Sequence, residues 1–181
     1  MTFHCSNTRH TILHFLFIAL FISSDNVSAR SESEIKAAYL YNFIKFVTWP
    51  DEPTDTNINI CIYGKNPFGA YTTKLNSLKA RKRAIKVNYI EHTIEHTRPS
   101  NCQILFISGI EETLSEELLK NLHEKPVLTI SDIVGFTEFG GIIGFFKSGN
   151  IIRFNVNLKQ ARLAKLNISA KLLKLANKVT Q

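Results

Sequence analysis

The sequence predicts a single α/β domain: a mixed, largely parallel sheet, helices on both faces, and a β-hairpin toward the C-terminus. Three observations carry this reading. From Ile58 to Ser131, strand-like and helix-like segments alternate, the rhythm of a parallel sheet. Gln103–Ile107 is almost continuously apolar, as a strand covered on both faces should be. Beyond Gly140 the pattern changes to two strand-like arms about Ser148-Gly149.

Residues 32 to 48 (ESEIKAAYLYNFIKFVT) read as a helix. Ser31 and Glu34 have capping-box spacing, and Trp49-Pro50 stops it. Ile35, Tyr39, Phe43 and Phe46 line one side, while Leu40, Ile44 and Val47 line another. A helix apolar on so many sides must be covered broadly by its own domain or by a partner.

A Pro- and Thr-bearing loop, Asp51 to Asn57, leads to a first core strand, INICIYG. The Asn66-Pro67-Phe68-Gly69 turn opens a helix ending near Leu78, and the basic stretch Lys79–Arg83 feeds a second strand, AIKVNYI. After the polar segment His92 to Arg98 come strand QILFIS, a helix from about Glu112 to His123, and strand PVLTIS, closed by Asp132. Gly140–Lys147 and Asn150–Val156 form the hairpin arms; in the second, Ile152, Phe154 and Val156 alternate with polar residues. Two C-terminal helices follow, Leu158 to about Lys165 and a second capped by Ser169. In the second, Leu172, Leu175, Ala176 and Val179 form an i, i+3, i+4, i+7 stripe.

Of the 181 residues, 44% are hydrophobic and 20% charged, which excludes a disordered tail, a collagen and a polytopic membrane protein. Arg9 and His10 precede an apolar run, Ile12–Ile22, followed by Val27-Ser28-Ala29. This is the layout of a secretory signal cut after Ala29, leaving a domain of residues 30–181. A helix of that run spans only ~17 Å, too short for a permanent membrane span. Residues 30–181 carry the whole net charge of +7. Export turns that charge away from nucleic acid and toward an acidic protein or a membrane face.

Cys5 falls within the signal, so Cys61 and Cys102 remain, an even pair that in an oxidising compartment reads as a disulfide. A structural staple between neighbouring strands is the reading adopted; free thiols and a redox switch stay open. His92 and His96, beside Glu91 and Glu95, have metal-compatible spacing but no third ligand, and read as solvated surface. Gly140, Gly141 and Gly144 lie in or beside a strand, so close packing explains them better than a phosphate loop. Ser108-Gly109 and Ser131-Asp132 follow strands, where α/β folds place sites. No nucleophile elbow or catalytic set is assembled from them, and Asp132 reads equally as a turn cap. The expectation is no enzyme, no metal and no cofactor.

Seven blocks, in order, carry a resemblance. They are Ile35–Pro50; Ile60–Gly64 with Asn66–Gly69; Cys102–Ser108; Pro126–Asp132; Phe139–Ile143; Ile152–Asn157; and Lys171–Ala176. Taken together they resemble the YfiR family of small exported regulators. The resemblance implies a periplasmic α/β domain that represses a membrane-bound diguanylate cyclase through the cyclase's periplasmic sensor region. It also implies a Cys61–Cys102 disulfide and a tendency to form a homodimer. The chain departs from the family pattern at Lys79–Arg98, which is more basic and polar than the blocks around it.

The expected partner is thus the periplasmic region of an inner-membrane cyclase or other receptor, with no nucleic acid and with membrane proximity through that partner. Aromatic anchors dominate interface energies. Tyr39, Phe43, Trp49, Phe136 and Phe139 are therefore the candidate contact residues, with Arg153 as their polar companion. The alternative is a periplasmic small-ligand sensor, which a pocket beyond the first four strands would favour.

Overall fold

The computed structural model describes residues 30–50, 57–90 and 101–181. The expected signal, most of the Asp51–Asn57 loop and the His92/His96 pair lie outside the described residues. Residues Ser31–Gln181 form one compact unit.

Helix α1 spans Glu32–Phe46, with the Ser31 side chain accepting a hydrogen bond from the Glu34 backbone as the capping spacing predicts. It ends two residues before the sequence-based boundary. Val47 is already extended, and Val47–Thr48 (β1) pairs antiparallel with Asn167–Ile168 (β9). β-branched residues just ahead of Trp49-Pro50 favour that extended backbone.

The main sheet uses β2 (Ile58–Gly64), β3 (Lys79–Ala80), β4 (Arg83–Ile90), β5 (Ile104–Ser108), β6 (Leu128–Ser131), β7 (Ile143–Ser148), β8 (Ile151–Asn157) and β10 (Lys178–Thr180). Their order is β10-β8-β7-β6-β5-β2-β4-β3, with β4, β2, β5, β6 and β7 all parallel. β7 and β8 form the expected antiparallel hairpin. Its two-residue turn is Gly149-Asn150, one position later than Ser148-Gly149, because Gly149 supplies the positive φ at the first turn position.

Strand alternation sorts the core into two faces. Ile58, Ile60, Ile62, Ile104, Phe106, Leu128 and Ile130 join the cluster that holds Leu40, Phe43 and Ile44 of α1 and Leu75 of α2 (Tyr71–Asn76). Cys61, Tyr63, Leu105 and Ile107 join the opposite cluster, with Leu118 and Leu119 of α3 (Glu112–Asn121). Helices therefore do cover both faces. The β6–β7 crossover contains no helix; residues 132–142 form turns, and Phe136 fills the place a helix would take against Leu105 and Ile107. Gly141 is required there, since a Cβ would overlap the Phe136 ring.

Two elements differ from the sequence reading. Lys79–Arg83 is the tip of a hairpin, β3–β4, whose turn residues Arg81 and Lys82 both have positive φ. The second C-terminal helix is only one turn, α5 (Ala170–Leu173), after α4 (Leu158–Leu163). Asn177 then donates its backbone N–H to the Phe154 carbonyl, and Lys178–Thr180 runs parallel to β8. Backbone pairing with an open strand edge prevails over the helical stripe; Leu172 is buried, but Leu175 points to solvent.

Candidate functional site

The carboxyl ends of the parallel strands, where α/β domains place their sites, carry a chain of polar contacts. Ser108, the last residue of β5, donates its hydroxyl to Asp132 Oδ1 at 2.8 Å. Lys36 of α1 donates Nζ to Asp132 Oδ2 at 2.7 Å and pairs with Glu32 Oε1 at 2.7 Å. Lys147, near the end of β7, closes the chain on Glu32 Oε2 at 2.6 Å. Lys36 is only 5% exposed, so its charge depends on these partners.

The electrostatics agree with a fastening role. Burial, the largest influence on Lys36, pulls its pKa down, but hydrogen bonds and charges from Asp132 and Glu32 outweigh it and the net shift is upward. Hydrogen bonds from Lys147 and then Lys36 hold the Glu32 carboxyl below its ordinary value of 4.5. Lys36 is therefore an ammonium at neutral pH, and both Asp132 oxygens are engaged. The turn itself is capped by Ser131, whose hydroxyl accepts from the Ile133 N–H and donates to the Ile107 carbonyl. Asp132 instead joins α1 to the sheet.

At the order reversal between β2 and β5 the crevice is closed. Gly64 has a φ of +89°, and a Cβ there would overlap the Ser108 carbonyl. That carbonyl also accepts the Lys65 N–H. A cavity of about 20 Å³ lies at the other end of the sheet, lined by residues including Leu122, Val127, Ile142 and Gln160. It has room for about one water molecule, so it is not the pocket beyond the strands that a ligand sensor calls for. Among the described residues, no group of three His, Cys, Asp or Glu side chains could hold a metal ion.

The expected contact residues separate. Phe43, Trp49 and Phe136 are buried and cannot present their rings to a partner. Phe43 packs edge-on against Phe154 at 5.2 Å, Trp49 donates its indole N–H to the Gln103 carbonyl, and Phe136 meets Phe139 edge-on at 5.5 Å. Tyr39 is half-buried, its ring against Phe145 and Phe154 and its hydroxyl on the Ile152 carbonyl. Phe139 is half-buried, and Arg153 is exposed. The broad apolar surface of α1 is covered by the domain's own strands and helices. Residues the sequence reading did not single out now stand on the surface: Val134 is 90% exposed and Ile151 58%. Both belong to segments at the sheet's carboxyl end, the turn after Asp132 and the tip of the β7–β8 hairpin. Single apolar residues at loop tips leave no periodic signal.

Cys61 in β2 and Cys102 just before β5 form a disulfide, with Cα atoms 5.8 Å apart and a sequence separation of 41. It ties neighbouring strands and closes the excursion through α2, β3 and β4.

This fold, with its disulfide, agrees with a match of the YfiR/HmsC-like family over residues 33–177. The chain belongs to the YfiR/HmsC-like family. The match runs from Ser33 in α1 to Asn177, so it takes in Lys36, Ser108, Asp132 and Lys147 of the polar fastener, both cysteines and the β7–β8 hairpin, while Glu32 lies just ahead of it. No individual curated protein matches the chain. Members of the YfiR/HmsC-like family are regulatory rather than catalytic, which suits a lysine held as a structural cation. Among the described residues, no helix is long and apolar enough to cross a membrane.

Proposed function

We propose that this protein is a periplasmic regulator that binds the periplasmic sensor region of an inner-membrane signalling protein, a diguanylate cyclase, and holds it inactive. The observation that carries this reading is the family match over residues 33–177. The Cys61–Cys102 disulfide supports an oxidising compartment, which a signal cut after Ala29 would provide. The contact surface is the carboxyl end of the sheet, where Val134, Ile151 and Arg153 are exposed on a base stiffened by the Lys36–Asp132 fastener. Repression requires a preference for one receptor state; moving an equilibrium from 1:99 to 99:1 takes ~5.5 kcal/mol of differential binding. A rigid surface suits this because little binding energy goes into ordering it.

The test is retention of the oxidised chain from Arg30 onward on the immobilised periplasmic region of the cyclase, with cyclase output measured alongside. Retention with lowered cyclic di-GMP synthesis is expected. Failure of oxidised and reduced forms alike to bind would remove the basis for the proposal.

A further inference from the structure

The stretch from Gly140 onward contains a feature that partner repression does not use. From Gly140 to the C-terminus there is no Asp or Glu. The two short helices of this region share a pattern, Lys159-Gln-Ala-Arg162-Leu163 in α4 and Lys171-Leu-Leu-Lys174-Leu175 through α5 and the turn that follows it. In each, the cations and the final leucine sit at i, i+3 and i+4, on one helical face. That face is the solvent face: all four cations are exposed, Leu163 is 36% and Leu175 67% exposed, and Leu158, Ala161 and Leu172 take the buried side. Lys165 and Lys178 add two exposed cations, and none of the six pairs with a described acidic residue. α4 packs against β10 and α5 leads into it, so both helices lie at the β8–β10 end of the sheet.

We infer that this surface docks directly on an anionic lipid bilayer. The cations would meet the headgroups while Leu163 and Leu175 enter the interfacial layer. Charge sets the sign of the occupant, and composition decides its class. Protein interfaces are depleted in Lys, and their energetic centres are under-represented in Leu and enriched in aromatic residues. Lysine on a polar surface with leucine beside it is the composition of an interfacial membrane contact. Leu163 in α4 and Leu175 just after α5 are exposed and lie outside both core clusters. This contact is independent of the repression reading, since it involves no receptor.

The test uses the chain from Arg30 onward, which contains the whole compact unit Ser31–Gln181 and omits the apolar run Ile12–Ile22, which would bind lipid on its own account. It is sedimented with vesicles of phosphatidylcholine alone or mixed with phosphatidylglycerol, at low and high salt. Binding to the mixed vesicles only, lost at high salt, is expected. Each cation near such a surface contributes about fivefold, so the pair Lys171→Glu and Lys174→Glu lowers partitioning by at least ~25-fold. Leu163→Ser with Leu175→Ser weakens binding but leaves its salt dependence. All four positions are exposed, so unfolding midpoints should stay unchanged. Equal binding to both vesicle types, or no loss in the lysine variant, overturns the inference. Retention on polyglutamate without vesicle binding also overturns it and reassigns the surface to an acidic protein.

Discussion

Lys36 of α1 and Asp132 beyond β6 are joined Nζ to Oδ2 at 2.7 Å across 96 residues of sequence. A buried ammonium tolerates this position only because Asp132 and Glu32 flank it. Asp132→Ala leaves Lys36 with one carboxylate and frees the Ser108 hydroxyl, so a loss of about 2–3 kcal/mol is expected in urea unfolding. Lys36→Met combined with Asp132→Ala should cost less than the two single changes summed. Strict additivity in that cycle would show that the two residues are not coupled.

The same cluster sets a pH window. Glu32 has a depressed pKa, so its contribution is present above its ordinary 4.5 and is lost as pH falls through the lower folded value. Lys36 has a raised pKa, so its contribution is complete below 10.5 and is lost as pH rises through the higher folded value. Between those limits neither group adds a slope. The unfolding midpoint of Glu32→Gln should lie below that of the native chain at neutral pH. The gap should close as pH falls below 4.5, and a gap that stays constant there would exclude the linkage.

The disulfide closes a 41-residue separation, for which chain entropy gives about 4 kcal/mol. Cys61→Ser with Cys102→Ser should lose stability of that order, as should reduction of the native chain. Receptor retention measured at a denaturant-free, low temperature separates a staple from a redox switch. A staple leaves affinity unchanged in the fraction that remains folded.

Gly64 should tolerate no side chain. A Cβ at its φ of +89° would overlap the Ser108 carbonyl, which is backbone and cannot swing away. Gly64→Ala should therefore cost at least ~3 kcal/mol, from left-handed strain and forced separation of β2 and β5. Gly149→Ala, with open space about its Cβ position, meets only the strain.

The core elements were legible because periodicity and burial agree in them; Ile58–Gly64 reads as a strand and is one. The misses share a physical cause. Arg81-Lys82 occupies a turn with two positive φ values without the Asn or Gly that usually marks it, helped by Arg81 Nη1 donating to the Val47 carbonyl. Lys178–Thr180 carries lysine and valine at helical spacing, yet the free edge of β8, invisible in local sequence, recruits it as a strand. The aromatic residues of α1 could have been surface anchors or core. Only the positions of Phe145 and Phe154, more than a hundred residues away, show that Phe43 is core.

The proposed contact surface gives the last prediction. If the sheet's carboxyl end meets the receptor, its exposed residues should matter where buried Phe43 and Trp49 act only through folding. Arg153→Glu should lower retention on the receptor's periplasmic region at least tenfold by reversing one interfacial charge, with an unchanged unfolding midpoint because Arg153 is exposed. Val134→Asp and Ile151→Asp should do the same by placing a carboxylate in an apolar contact. Trp49→Ala should lower the midpoint by about 3–5 kcal/mol in stability terms while the folded fraction retains its affinity. Full retention by all three surface variants would move the contact to another face.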